Sequence, residues 1–261
     1  MADGLEIQRN GAVLDIRLDR PKANAIDAAT SRAMSQAFED FQRDEALRVA
    51  ILSGAGERFF CAGWDLKAVA AGEADEDFGS GGFGGLMANF ALDKPVIAAL
   101  NGMAVGGGFE IVLACDFVVM AEHAECFLTE IRLGFLSDAA SIQRLLHRLP
   151  RNVALEILLA GRRLGAAEAR ALGLANVVCP GPSVLDEARA LAGRLAQGAP
   201  LPLRAAKRIV RAVEAESDEA AAHAMAQGPL KAAYEAIFAS EDFREGPLAF
   251  FERRAPVWKG R

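Results

Sequence analysis

Three consecutive glycines run into an apolar residue and a carboxylate, Gly106-Gly107-Gly108-Phe109-Glu110, and the apolar stretch Ile111-Val112-Leu113-Ala114 follows at once. Glycine has no Cβ, so its backbone turns where other residues cannot and lets other groups come close. Three glycines before such a stretch predict a tight turn feeding a helix N-terminus. There the first N–H groups lack intrahelical acceptors and the helix dipole favours negative charge. Glu110 then falls in the first helical turn, and a second glutamate, Glu130, comes further along. This pattern suits chemistry in which a carbonyl oxygen becomes anionic while carboxylates move protons. A glycine turn that merely packs tightly around a capping glutamate is the alternative left open by the motif alone.

The surrounding chain reads as alternating strands and helices. Leu14, Ile16 and Leu18 alternate with Asp15 and Arg17, a half-buried strand. Asp27 is placed to cap a helix whose apolar positions are Met34, Ala37, Phe38 and Phe41. Val49-Ala50-Ile51-Leu52, Val96 to Leu100 and Phe117 to Met120 read as short buried strands. Strands separated by helices point to parallel pairing through right-handed crossovers, hence an α/β class. Beyond about residue 140 the segments 152–160, 166–172, 184–196, 201–214 and 217–238 carry helical periodicity, with Asn176-Val177-Val178 as one last strand. Residues 72–85 are acidic and then glycine-rich. Gly79 to Gly84 spells G-x-G-x-x-G, but no strand precedes it, so a mobile loop near a binding site is expected instead of a dinucleotide fingerprint.

Composition narrows the partners. The 261 residues carry a net charge of −6, which disfavours nucleic acid as the main partner while leaving room for a phosphorylated small molecule. Cys61, Cys115, Cys126 and Cys179 form no C-x-x-C pair and read as reduced thiols. His123, His147 and His223 are scattered and suggest neither triad nor metal cage. The N-terminus leads straight into a strand pattern, and the uncharged run between Lys94 and Glu110 is too short and glycine-rich to span a bilayer. A cytoplasmic, soluble protein with no membrane partner is expected.

Four further segments join the glycine turn. They are Arg20-Pro21-Lys22-Ala23-Asn24-Ala25, Phe59-Phe60-Cys61-Ala62-Gly63-Trp64-Asp65-Leu66-Lys67, Asp93-Lys94-Pro95 through Asn101-Gly102, and Phe127-Leu128-Thr129-Glu130-Ile131-Arg132-Leu133-Gly134. In this order, and with Gly161-Arg162-Arg163-Leu164 through Gly173-Leu174, the chain resembles the enoyl-CoA hydratase/isomerase family, the crotonase superfamily, over nearly its whole length. Within it, the stretch Cys61 to Lys67, Gly82-Phe83 and Leu92 to Pro95 are most similar to carnitinyl-CoA dehydratases.

The resemblance implies a spiral of ββα turns over residues 1–195 and a C-terminal helical oligomerisation region over 196–261, assembled as a homotrimer or a dimer of trimers. It implies an oxyanion hole from the backbone N–H groups of Trp64 and Gly107, which hold a thioester oxygen. It implies Glu110 and Glu130 as the carboxylates that add water to a 2-enoyl-CoA. Lys22, Ala23 and Ala25, with Ala62, Gly63, Trp64, Asp65 and Leu66, would line the coenzyme A pocket, and Lys22 and Lys67 are candidate phosphate partners. The basic tail of Arg253, Arg254, Lys259 and Arg261 is a further candidate. Coenzyme A is part of the substrate, so no separate cofactor is expected.

The chain also departs from the hydratase pattern. Thr129 stands where proline usually precedes the second glutamate, and Ser137-Asp138-Ala139-Ala140-Ser141 replaces a Pro-x-x-Gly-Gly loop. These changes bear on the acyl end of the substrate. Asp138 is a candidate substrate-binding acid, placed like the acid of dienoyl-CoA isomerases. The expected activity is reversible hydration of a 2-enoyl-CoA. A carnitinyl-CoA or other specialised acyl-CoA dehydratase is the next reading, then an acyl-CoA double-bond isomerase, then a non-catalytic acyl-CoA- or RNA-binding homologue.

Overall fold

The computed structural model describes residues 4–67, 77–134, 136–137, 141–214, 216 and 218–261. A hairpin of β1 (Leu5–Asn10) and β2 (Val13–Leu18) opens the chain. Helix α1 (Ala28–Arg43) follows, capped by Asp27, whose side chain accepts a hydrogen bond from the Thr30 N–H at 2.8 Å. Its Met34, Ala37, Phe38 and Phe41 are buried, as the spacing predicts. The expected outward face of β2 is altered at Asp15. Arg189 reaches across and donates two hydrogen bonds to it, of 3.2 and 2.7 Å, so this carboxylate is buried under a later helix.

Each later turn contributes two strands, one to each of two sheets. The pairs are β3 (Val49–Gly54) with β4 (Phe59–Cys61), β5 (Val96–Leu100) with β6 (Met103–Val105), and β7 (Phe117–Ala121) with β8 (Glu125–Phe127). Strands β1, β2, β3, β5 and β7 build the large sheet in that order, parallel from β2 onward, and β10 (Val177–Cys179) closes it. Strands β4, β6 and β8, with the two-residue β9 (Leu164–Gly165), build the small sheet. The buried apolar runs of β3 and β5 suit a parallel sheet covered on both faces.

Helix α2 (Gly107–Ala114) joins the small sheet back to the large one. Helices α3 (Glu130–Leu133), α4 (Ser141–Arg148), α5 (Arg151–Ala160) and α6 (Ala166–Ala171) follow β8. Helix α7 (Val184–Ala196) packs on the large sheet. Helices α8 (Pro200–Val213), α9 (Glu219–Ala239) and α10 (Asp242–Glu252) form the C-terminal arm.

The arm is tied down at the Asp93-Lys94-Pro95 corner. Asp93 accepts hydrogen bonds from Gln42, Arg204 and Arg208 at 2.9, 2.7 and 3.0 Å, and Lys207 bonds the Lys94 carbonyl and Asp116 at 2.7 and 2.6 Å. Lys94 itself is buried and donates to the carbonyls of Phe41 and Asp44, both at 2.7 Å. Further out, Phe250 and Phe251 are each 80 % exposed. Of the described residues, no helix is long and apolar enough to cross a membrane.

Residues 72–76 of the acidic loop lie outside the described residues. Its glycine-rich end packs closely instead of standing off: Phe83, Gly84 and Gly85 are buried, and a Cβ at Gly85 would sit 2.7 Å from the α1 backbone at Met34.

Candidate active site

Each glycine of the turn is required for a different reason. Gly106 precedes α2 at φ +55°, a left-handed conformation, and a Cβ there would lie 2.6 Å from Oε1 of Glu130. A Cβ on Gly107 would lie 2.6 Å from the Phe83 ring, and one on Gly108 only 2.1 Å from the Cys61 carbonyl oxygen. The turn is thus closed in by a carboxylate, an aromatic ring and a neighbouring strand. The N–H groups of Phe109 and Glu110 turn back to the Gly106 carbonyl at 2.8 and 3.1 Å. The Gly107 N–H finds no acceptor among the described residues.

Trp64 approaches from the other side. The N–H of Ile26 donates to the Gly63 carbonyl at 2.8 Å, and the N–H of Asp65 donates to the Ile26 carbonyl at 2.9 Å. This parallel bridge uses the groups flanking Trp64, so the Trp64 N–H is directed to the opposite side, again without an acceptor among the described residues. Gly63 has φ +84°, and a Cβ there would lie 2.8 Å from the Gly107 nitrogen, so the two segments are in contact. The Trp64 ring packs edge-on against Phe78, and Phe78 against Phe83, with centroids 6.1 and 5.6 Å apart.

Both glutamates gather at this turn. Glu110 is 4 % exposed, inside α2. Glu130 opens α3. Its Oε2 accepts the Thr129 N–H at 2.7 Å while Oε1 stands over Gly106. The Gly106 N–H donates to the Phe127 carbonyl at 3.0 Å, so the β6–β8 pairing itself delivers Glu130 to the turn. Asp138 lies outside the described residues, as do Ala139 and Ala140. Nearby Ser137 and Ser141 are buried, with the Ser141 hydroxyl donating to the Ser137 carbonyl at 3.0 Å.

The loops expected to receive coenzyme A lie side by side. The Ala62 N–H donates to the Ala23 carbonyl at 3.0 Å, which sets Lys22, Ala23 and Ala25 alongside Ala62, Gly63, Asp65 and Leu66. Lys22, Leu66 and Lys67 are exposed. Asn24, buried at φ +51°, pins the first loop: its amide donates to the carbonyls of Ala55 and Phe59, both at 3.0 Å. The basic tail is engaged elsewhere. Arg254 pairs with Glu245 and Glu252, while Lys259 and Arg261 pair with Glu241.

Burial pushes the Cys61 thiol beside the turn up to about 12, so it stays protonated and inert as a nucleophile. Of the described residues, no group of three His, Cys, Asp or Glu side chains is placed to hold a metal ion. A cavity of about 910 Å³ lies beyond the far end of α2, lined by Phe90, Leu113, Cys115, Arg148 and Lys207, and includes neither glutamate.

Sequence reasoning missed one residue around this site. Phe83 closes over Gly107, but a lone phenylalanine between glycines gives no sign of where it packs.

The model of the family described as Enoyl-CoA hydratase/isomerase matches residues 8–261. The chain belongs to the enoyl-CoA hydratase/isomerase family. A carnitinyl-CoA dehydratase of Proteus mirabilis is 52 % identical over 100 % of both chains. An enoyl-CoA hydratase from Mycobacterium tuberculosis superposes with a TM-score of 0.90 at 36 % identity, covering 99 % of both chains. A carnitinyl-CoA hydratase from Mycobacterium avium superposes at 0.77 with 40 % identity over 100 % of both. The α/β fold is that of these crotonase-type enzymes, and this member of the family is an enzyme of the hydro-lyase type.

Proposed function

We propose that the protein adds water reversibly across the C2–C3 double bond of a 2-enoyl-CoA thioester. The observation that carries this reading is the convergence of Glu110, Glu130 and two acceptor-free N–H groups on the turn at Gly106-Gly107. Attack of water at C3 drives charge onto the thioester oxygen as an enolate. The N–H groups of Trp64 and Gly107 hold that oxygen, and one such donor typically contributes about 10²–10³ in rate. Glu110 takes the proton from the attacking water. Glu130, in its acid form, gives a proton to C2. A proton passed between the carboxylates restores the starting state, so the net change is one water added. Elimination runs the same steps backwards.

Coenzyme A would lie between the Lys22–Ala25 and Ala62–Leu66 segments, with the exposed Lys22 and Lys67 on its phosphates. It enters as part of the substrate, and no separate cofactor takes part. The relative named carnitinyl-CoA dehydratase favours a second reading, in which the acyl group is carnitinyl or crotonobetainyl and dehydration is the working direction. Thr129, Ser137 and Ser141 border the acyl end and would set this choice. A panel of crotonyl-, long-chain enoyl- and crotonobetainyl-CoA, followed by loss of the conjugated thioester absorbance, tests both readings. Turnover of none of these would sink them.

The exposed faces of Tyr234, Phe238, Phe243, Leu248, Phe250 and Phe251 on the C-terminal arm support assembly into a homotrimer or a dimer of trimers. The arm, from about residue 196, would then be the oligomerisation region. A stable monomer in sedimentation at micromolar concentration would contradict this. Action in the cytoplasm on a small thioester, away from membrane and nucleic acid, fits the acidic balance of the chain.

A further inference from the structure

One side chain, Arg20, ties together the two loops proposed to receive coenzyme A. Its backbone opens the first loop. The Arg20 N–H donates to Oδ1 of Asn24 at 3.1 Å, and the Asn24 N–H returns to the Arg20 carbonyl at 3.2 Å. Its stem is held against the N-terminal turn, where a Cβ on Gly4 would sit 2.2 Å from Arg20 Cγ. The guanidinium then reaches three partners. Nη1 donates to the Thr30 hydroxyl at 2.8 Å. Nη2 lies 2.7 Å from Oδ2 of Asp27, which caps α1, and 3.6 Å from Oδ2 of Asp65, which follows Trp64. The three side chains are 19, 35 and 27 % exposed, so water screens their charges incompletely.

The bridge matters because of what Asp65 is attached to. The Asp65 N–H is bonded to the Ile26 carbonyl and the Ile26 N–H to the Gly63 carbonyl, the ladder that aims the Trp64 N–H away from Ile26. Asp27 and Asp65 are like charges drawn to one nitrogen. Take the cation away and they repel. Asp27 is anchored, because its Oδ1 accepts the Thr30 N–H at 2.8 Å. Asp65 is held less firmly. Besides Arg20, its side chain accepts the Lys67 N–H at 3.2 Å, two residues along its own loop. Repulsion would therefore displace Asp65, and the Trp64 peptide with it.

We infer that Arg20 is a positioning residue which, by bridging Asp27 and Asp65, holds the Trp64 N–H in line for the thioester oxygen. It touches no reacting atom. This rests on Trp64 as an oxyanion donor in the reading above.

The test is infrared difference spectroscopy of the purified full-length protein with bound butyryl-CoA, isotope-labelled at the thioester carbonyl. Butyryl-CoA is saturated and cannot be hydrated. A hydrogen bond weakens a C=O bond, so in wild type the bound stretch should lie below that of the free thioester. Arg20→Met should lose a large part of this lowering. Its turnover at saturating 2-enoyl-CoA should fall about tenfold or more, short of the roughly 10²–10³ for a donor removed outright. Arg20→Lys keeps a point charge between the acids and should retain most of both. Asp65→Asn removes the repulsion, so adding it to Arg20→Met should recover turnover and lowering together, as contacting sites couple. If Arg20→Met does not fold, Arg20→Gln carries the same comparison. A lowering unmoved in Arg20→Met, or a double variant worse than Arg20→Met, would overturn the inference and leave the hydratase reading in place. A wild-type stretch that is not lowered at all would sink the Trp64 assignment first, and the inference with it.

Discussion

Two corners of this molecule bury a carboxylate to nearly the same depth and use it in opposite ways. Asp93 is 3 % exposed and Glu110 is 4 % exposed. Asp93 sits inside a ring of fixed donors, Gln42, Arg204 and Arg208, which hold its carboxyl below the usual range despite burial. Its charge is spent on fastening the C-terminal arm to the core. At the glycine turn the surroundings are reversed. Backbone N–H groups of Trp64 and Gly107 are left without acceptors among the described residues, and the acids stand beside them. The lesson is that burial of an acid does not mark a reactive site. In the proposed mechanism, unused donors next to it do.

That contrast can be broken from either end. The largest effects should come from the glycines. Gly108→Ala drives a Cβ into the Cys61 carbonyl and should cost about 3 kcal/mol or more of stability, read by denaturant unfolding. Gly107→Pro removes the N–H proposed to hold the thioester oxygen, and turnover should fall by about 10²-fold or more even where the fold survives. Activity within a few-fold of wild type would show that this N–H is not used.

At the other corner, Asp93→Asn should lower stability by about 1–3 kcal/mol, since Arg204 and Arg208 are partly exposed and retain water. Turnover of the folded protein should stay within a few-fold. The Asp93 carboxyl is lowered from 3.8, so its stabilisation is present above that pH and is lost as pH falls through the folded value. The gap between wild type and Asp93→Asn should therefore close in acid. A catalytic defect larger than the stability defect would erase the distinction between the two corners.

The smallest effect concerns Lys94, which burial holds down to about 8 against an ordinary 10.5. Between those values the unfolded chain binds more protons than the folded one, so stability rises with pH there. Wild type should gain on Lys94→Met as pH climbs through this window. A constant difference in melting temperature would show that Lys94 is solvated.

The glycine turn was legible because few residue types satisfy it: a left-handed backbone at Gly106 and close approaches at Gly107 and Gly108 admit only glycine. The large sheet was legible from apolar runs at β3, β5 and β7. The small sheet was not, because strands of two or three residues, such as β4, β6 and β9, are too short to show a period. Asp15 looked solvent-facing because the covering Arg189 is remote in sequence. Phe83 reaches the site through packing of its turn against the start of α2, which no local pattern encodes. The Asp93-Lys94-Pro95 segment marked the family but not its own job, since its partners sit on α1 and α8.

The central claim is that Glu110 and Glu130 act together on one water. Its most direct test compares wild type, Glu110→Gln, Glu130→Gln and the double variant in hydration of a 2-enoyl-CoA, with acyl-CoA affinity measured alongside. Each single change should cut kcat by about 10² or more, and the double change should cost much less than the product, because the pair works as a unit. Affinity should change little. Full activity in Glu130→Gln together with lost turnover in Asp138→Asn would contradict the account and move the acid to Asp138.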